Sequence, residues 1–154
     1  MKSKAWTPFA AIGFVTNLVT TMDMLQADLR ITAPLTLSGL VTALLGFGGV
    51  AYTGLVLSRH ASRQRDTFIA DGIYRVVRHP LYLSGIIWNV GMVLLALSTC
   101  GLSQLVTAAG GIASFWLASK TEDGYNIARF GPDYEQYVQE VPGLNFVKGW
   151  RNLE

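Results

Sequence analysis

The chain has 154 residues, 51% of them hydrophobic and 14% charged, with a formal net charge of +2. A soluble domain carries about 25% charged residues. The shortfall is concentrated in runs, which argues against an ordinary soluble enzyme, and the few basic residues abut those runs without aromatic interleaving, which argues against a nucleic-acid surface.

Residues 5–22, 31–58 and 79–119 contain no Asp, Glu, Lys or Arg. Runs of this length read as membrane spans. The sequence therefore predicts an all-α integral membrane helical bundle of about four transmembrane helices plus a C-terminal cytoplasmic helical segment, in a single membrane domain over 1–154. The first span covers about 5–22, with Pro8 in its first turn, where a missing N–H costs little. It lacks a small-residue cleavage site and reads as a retained span. A short polar link, 23–33, leads to the second span at about 34–57. Gly39, Gly46 and Gly54 roughly follow one face of that span and predict close helix packing. A basic cytoplasmic loop occupies 58–80. The run 79–119 is too long for one crossing, since 40 helical residues would measure about 60 Å. Residues 98–103 supply the turn signal, giving spans at about 81–97 and 104–119. One cysteine, Cys100, falls in this turn, so no intrachain disulfide is possible and no role is assigned to it.

Residues 120–154 form a C-terminal cytoplasmic lid. Lys120 to Asp123 extend the fourth helix. Phe130-Gly131-Pro132 breaks it, and Asp133 to Val141 forms a short helix with Tyr134, Tyr137, Val138 and Val141 on one face. Residues 141–150 read as an extended apolar tail suited to the membrane interface. Of the 12 Lys and Arg, only Arg30 falls between the first two spans. The positive-inside rule then puts both termini and the 58–80 loop in the cytoplasm.

Two clusters carry chemical potential. The first is Arg78-His79-Pro80 with Tyr82, Gly85 and Asn89 on one face of the third span. Pro80 suits the first position of a helix, and a helix N-terminus beside Arg78 is an anion site. Headgroup anchoring explains each residue singly, but the cluster favours a pocket wall. The second is Glu122-Asp123 on the same membrane side, with Arg129 seven residues on and on the same helix face as Glu122. The sequence has no P-loop, no dinucleotide glycine fingerprint and no Cys/His metal cluster, so no metal is expected.

The run Gly72-x-Tyr74-Arg75-x-x-Arg78-His79-Pro80-x-Tyr82-x-x-Gly85 resembles the signature of the isoprenylcysteine carboxyl methyltransferase and phospholipid methyltransferase group. Glu122-Asp123, followed by Phe130-Gly131-x-x-Tyr134-x-x-Tyr137 and the tail 141–149, is similar to that family's second block. The resemblance covers residues 67–150. It implies a membrane methyltransferase using S-adenosylmethionine, held between the Arg-His-Pro loop and the acidic-pair helix. Carried over, it implies that His79, Pro80, Tyr82 and Gly85 bind the cofactor, with Tyr74, Arg78 and Asp123 beside them. The resemblance also implies that Glu122 binds the cofactor or stands at the reaction centre; Arg129, on the same helix face, is the second catalytic candidate. The sequence departs from the family at Asp123 (usually Glu), Asn126 (usually Leu), Glu140 (often basic) and Asn145 (usually Pro). The last three lie in the part that should contact substrate.

The implied partners are the lipid bilayer and a lipophilic acceptor, with no nucleic acid and no obligatory protein partner. A prenylcysteine-like carboxylate is favoured by the Arg-His-Pro form and the closing tail. A phospholipid amine, a sterol-type reduction with NADPH and a non-catalytic membrane protein of the same fold are the alternatives.

Overall fold

A computed structural model describes residues 6–26, 34–63, 67–99 and 101–153. Cys100, Arg30 and most of the 23–33 link lie outside them. The described chain is an all-α membrane bundle of six helices: α1 (Trp6–Leu25), α2 (Pro34–Arg63), α3 (Pro80–Thr99), α4 (Leu102–Phe130), α5 (Pro132–Glu140) and α6 (Phe146–Arg151), with a 3₁₀ turn at Gly72–Arg75. Four stretches are long and apolar enough to cross a membrane: Thr7–Leu25, Pro34–His60, Pro80–Thr99 and Leu102–Phe130.

Register follows from where small residues admit a neighbour. In α2, Gly39 faces Leu95, Gly46 faces the backbone of Trp88, and Gly49 faces Ser84. The numbers rise along α2 as they fall along α3, so the pair is antiparallel. Likewise Gly13 and Thr16 of α1 meet Phe115 and Gly111 of α4, and Gly85 and Asn89 of α3 meet the same two residues. The α1–α4 and α3–α4 pairs are therefore antiparallel too. Without a hydrophobic drive between helices in lipid, this close approach is what holds the bundle together. Gly54 departs from the expected seam, because a Cβ there would meet nothing within 4 Å.

Large apolar side chains point outward, among them Val15 and Leu18 on α1 and Leu44, Leu45 and Phe47 on α2. In a bundle of this class that surface faces lipid. The interior mixes apolar residues such as Phe115, Leu95 and Ala108 with buried Asn17, Thr20 and Asn89.

The structure differs from the sequence reading at the α3–α4 turn and in the tail, while the break at Phe130-Gly131-Pro132 falls where it was expected. The α3–α4 turn is tighter than 98–103, since α3 runs to Thr99 and α4 starts at Leu102. α4 continues unbroken to Phe130, and Gly131 (φ 67°) then turns the chain into α5 with Pro132 at its first position. The tail is not extended throughout. Asn145 accepts a hydrogen bond from the Lys148 N–H at 2.9 Å and caps α6, as a short polar side chain at this position does.

Candidate functional site

The 3₁₀ turn, the start of α3, the last third of α4 and the tail converge at one end of the bundle. Tyr74 and Val77 bury themselves and hold the turn in place, and the Tyr137 hydroxyl donates to the Tyr74 carbonyl at 2.6 Å. Residues 78 and 79 then run alongside the tail. The Arg78 N–H donates to the Pro142 carbonyl at 3.0 Å and the His79 N–H to the Gly143 carbonyl at 3.1 Å. Farther along, α6 sits so close to the turn that a Cβ on Gly149 would run into the Val76 carbonyl. Glycine is required there by space alone.

The side chains of the two sequence clusters meet. Arg78 Nη2 donates to Asp123 Oδ2 at 2.8 Å. Its Nη1 donates to the carbonyls of Val138, at 2.6 Å, and of Val141. His79 Nε2 lies 2.9 Å from Asp123 Oδ1, and Nδ1 lies 3.5 Å from Glu122 Oε2. Tyr134 donates from its hydroxyl to Asp123 Oδ1 at 3.2 Å and accepts from Asn126 Nδ2 at 3.3 Å. The basic half of the cluster is nearly dry, with the His79 side chain 4% exposed and that of Arg78 9%, and the acidic half is less so, at 18% for Asp123 and 23% for Glu122. Burial alone would lower the His79 pKa, but its hydrogen bonds to Asp123 and Glu122 outweigh burial and hold it above the ordinary histidine value. Two carboxylates, one guanidinium and one imidazolium balance in charge, which is what a buried ionic group requires.

Beside the cluster lies a cleft of about 600 Å³, within the size range of small-molecule sites. One wall is Arg78 and His79 with tail residues 143–147. The other is Trp116, Ser119, Lys120 and Asp123, the i, i+3, i+4, i+7 face of α4. Lys120 Nζ lies 5.9 Å from the centre of the Trp116 ring. The sequence reading missed Trp116, Ser119 and Lys120 as site residues. The signal was available, since all three share the helix face of Asp123.

The expected site residues thus separate. Arg78, His79 and Asp123 line the cleft. Tyr74, Pro80, Tyr82, Gly85 and Glu122 are not among its lining residues. Glu122 touches His79, and the Tyr82 ring stacks on His79 and Phe115 at 5.6 and 6.0 Å. Gly85 is a packing position: a Cβ there would lie 2.5 Å from the Phe115 ring. Arg78 is no open anion site, because its two Nη atoms are taken up by Asp123 and by the carbonyls of Val138 in α5 and Val141 just after it. Arg129 shares the azimuth of Glu122 but lies two turns on. It is exposed, with its guanidinium over the Phe130 ring.

A bundle of membrane spans with a charged cluster and a cleft at one end defines a polytopic membrane protein. The model of the isoprenylcysteine carboxyl methyltransferase (ICMT) family matches residues 31–123, and the chain belongs to that family. His79, Glu122 and Asp123 fall inside the match. The chain is similar to protein-S-isoprenylcysteine O-methyltransferase of Schizosaccharomyces pombe, at 34% identity over 61% of this chain and 38% of that protein. The human protein of the same name is 33% identical over 54% of this chain and 29% of its own length. Protein-S-isoprenylcysteine O-methyltransferase B of Arabidopsis thaliana is 29% identical over 87% of this chain and 61% of its own. The chain thus spans less than two thirds of the length of these relatives. No solved structure matches it.

Proposed function

We propose that this chain is an integral membrane methyltransferase that uses S-adenosylmethionine to O-methylate the carboxylate of a prenylcysteine-like acceptor, with its site and both termini on the cytoplasmic side. The observation that carries the reading is the Arg78–Asp123–His79–Glu122 cluster beside the α4–tail cleft, in a chain of the isoprenylcysteine carboxyl methyltransferase family.

The donor set fits the cofactor. Trp116 and Phe146 offer faces for a purine ring, Lys120 offers a cation for a carboxylate, and Ser119 and Asp123 offer partners for hydroxyl or ammonium groups. When bound, S-adenosylmethionine supplies an electrophilic methyl on a sulfonium. A carboxylate acceptor is already ionised near neutral pH, so the protein needs no strong base. Its residues have to align two reactants and exclude water. Asp123, fixed by Arg78, His79 and Tyr134, is a preorganised acceptor. Glu122, against His79, orients whatever approaches from the Tyr82 side. Arg129 is better read as a surface residue than as a catalytic one.

Calorimetric titration of S-adenosylhomocysteine into the detergent-purified protein tests the cofactor. Binding is expected, and Asp123→Ala should weaken it at least tenfold, about the worth of one charge-assisted hydrogen bond. Transfer of a labelled methyl group to a farnesylcysteine analogue tests the acceptor. Labelling of phosphatidylethanolamine instead would replace the carboxylate reading with an amine one, and binding of NADPH without S-adenosylhomocysteine would replace both.

A further inference from the structure

The methyl-transfer reading uses α6 only at Phe146, at the edge of the cleft. This helix is docked on the body through Gly149, which is buried against the Val76 carbonyl. Its large apolar side chains point the other way. Val147 is 68% exposed, Trp150 55% and Phe146 40%, and the rings of Phe146 and Trp150 stack on each other at 5.9 Å. With about 100° per residue, Phe146, Trp150 and Val147 form one continuous arc, and Arg151 and Lys148 follow it directly. An apolar arc with a basic flank is the pattern of a helix lying in the plane of a membrane surface.

Height relative to the bilayer is set by the neighbours. Phe146 and Val147 share a cleft with Trp116 and Lys120 of α4. Trp116 is exposed on a membrane-crossing helix, and Lys120 lies over its ring, an arrangement suited to the headgroup level. The exposed arc of α6 is therefore continuous with the lipid-facing surface of α4. A second recess, formed by Lys148, Arg151, Asn145 and Asn152, opens on the same short helix. Its charge is complementary to a phosphate headgroup.

We propose that α6 is an interfacial foot. Val147 and Trp150 insert at the boundary of headgroups and acyl chains, with Phe146 between them and the cleft, and Lys148 and Arg151 bind the headgroups of anionic lipids. The occupant of this face is the bilayer, and the mouth of the α4–tail cleft opens onto that layer.

The test uses the full chain with Cys100→Ser in lipid nanodiscs containing phosphatidylglycerol. A spin label at Val147→Cys should relax with oxygen and be shielded from an aqueous nickel chelate. A label at Glu135→Cys, exposed on α5, should show the reverse. Equal nickel access at both positions overturns the proposal, and so does spin–spin broadening at 147 from a second copy seated on the arc. In detergent, Lys148→Gln and Arg151→Gln should each weaken binding of fluorescent phosphatidylglycerol about fivefold, the worth of one basic residue near an anionic surface. Unchanged affinity in both variants overturns the headgroup assignment. Neither readout needs cofactor or acceptor, so failure here leaves the methyl-transfer reading standing, and the reverse also holds.

Discussion

His79 has a carboxylate at each ring nitrogen, Asp123 at Nε2 and Glu122 at Nδ1. Neutral imidazole donates from one nitrogen only, so two carboxylate partners select the doubly protonated ring. Its pKa is raised: burial opposes the charge, and the hydrogen bonds to Asp123 and Glu122 overcome burial. A raised folded-state pKa contributes stability that is complete below the unfolded value, about 6.5. That stability is lost as pH rises through the higher folded value. The thermal midpoint of the purified protein should therefore fall as pH rises above about 6.5. His79→Gln should lower the midpoint at pH 6 and flatten the fall. An unchanged pH slope in that variant would refute the charged ring. Asp123→Asn leaves Arg78 and His79 facing one carboxylate and should cost about 3 kcal/mol, as breaking a buried pair does, measured by denaturant or thermal unfolding. The charged members of this cluster were legible in the sequence because they stand out from an apolar chain. The other partners of Arg78 were not, since they are backbone carbonyls at the end of α5, Val138 and Val141, and carry no residue identity. The packing of Gly85 was not legible for a related reason. A small residue three positions from Tyr82 looks the same whether a ligand or Phe115, thirty residues away, fills the space.

At the scale of helices, the close packing of Gly39 and Gly46 was legible, but which of the other glycines share it was not. The sequence places Gly46 and Gly48 within one turn of α2, yet they face different surroundings. A Cβ on Gly46 would collide with the backbone of Trp88, whereas one on Gly48 would meet nothing within 4 Å. Backbone cannot rotate aside as a side chain can. Gly46→Ala should therefore force α2 and α3 apart and cost about 1–3 kcal/mol or more. Gly48→Ala should be neutral or stabilising by up to about 1 kcal/mol, because alanine is the better helix former. Comparing the two variants by thermal unfolding in one detergent isolates the seam, and equal losses would refute the assigned α2–α3 register. The fourth helix and its break at Gly131-Pro132 were legible because glycine and proline act locally. The existence of α6 was missed because its apolar run dominated the reading, although Asn145 three residues before Lys148 is a local capping signal.

For the molecule as a whole, tertiary contacts fix which segments share a side of the membrane. Tyr137 bonds Tyr74, and Pro142 and Gly143 bond Arg78 and His79. The connection between α2 and α3 therefore lies at the same end of the bundle as α5 and the tail. The turn between α3 and α4 lies at the other end. Sequence periodicity supplied the four spans, and their even number supplied the same pairing, but neither says which end faces the cytoplasm. Charge supports the proposed orientation: Arg59, Arg75, Arg78, Lys120, Arg129, Lys148 and Arg151 all belong to the end that carries α5, the end that the positive-inside rule assigns to the cytoplasm. With Cys100 replaced by Ser, a cysteine at Gln139 should react with a membrane-impermeant maleimide in inside-out vesicles and be protected in intact cells. A cysteine at Ser103, exposed at the start of α4, should show the opposite pattern. Labelling of both from one side would mean that the four helices do not cross as an antiparallel set. A clean inversion of the two would keep the fold and place the cleft on the outer face, where a cytoplasmic cofactor could not reach it, so this measurement also bears on the methyl-transfer chemistry.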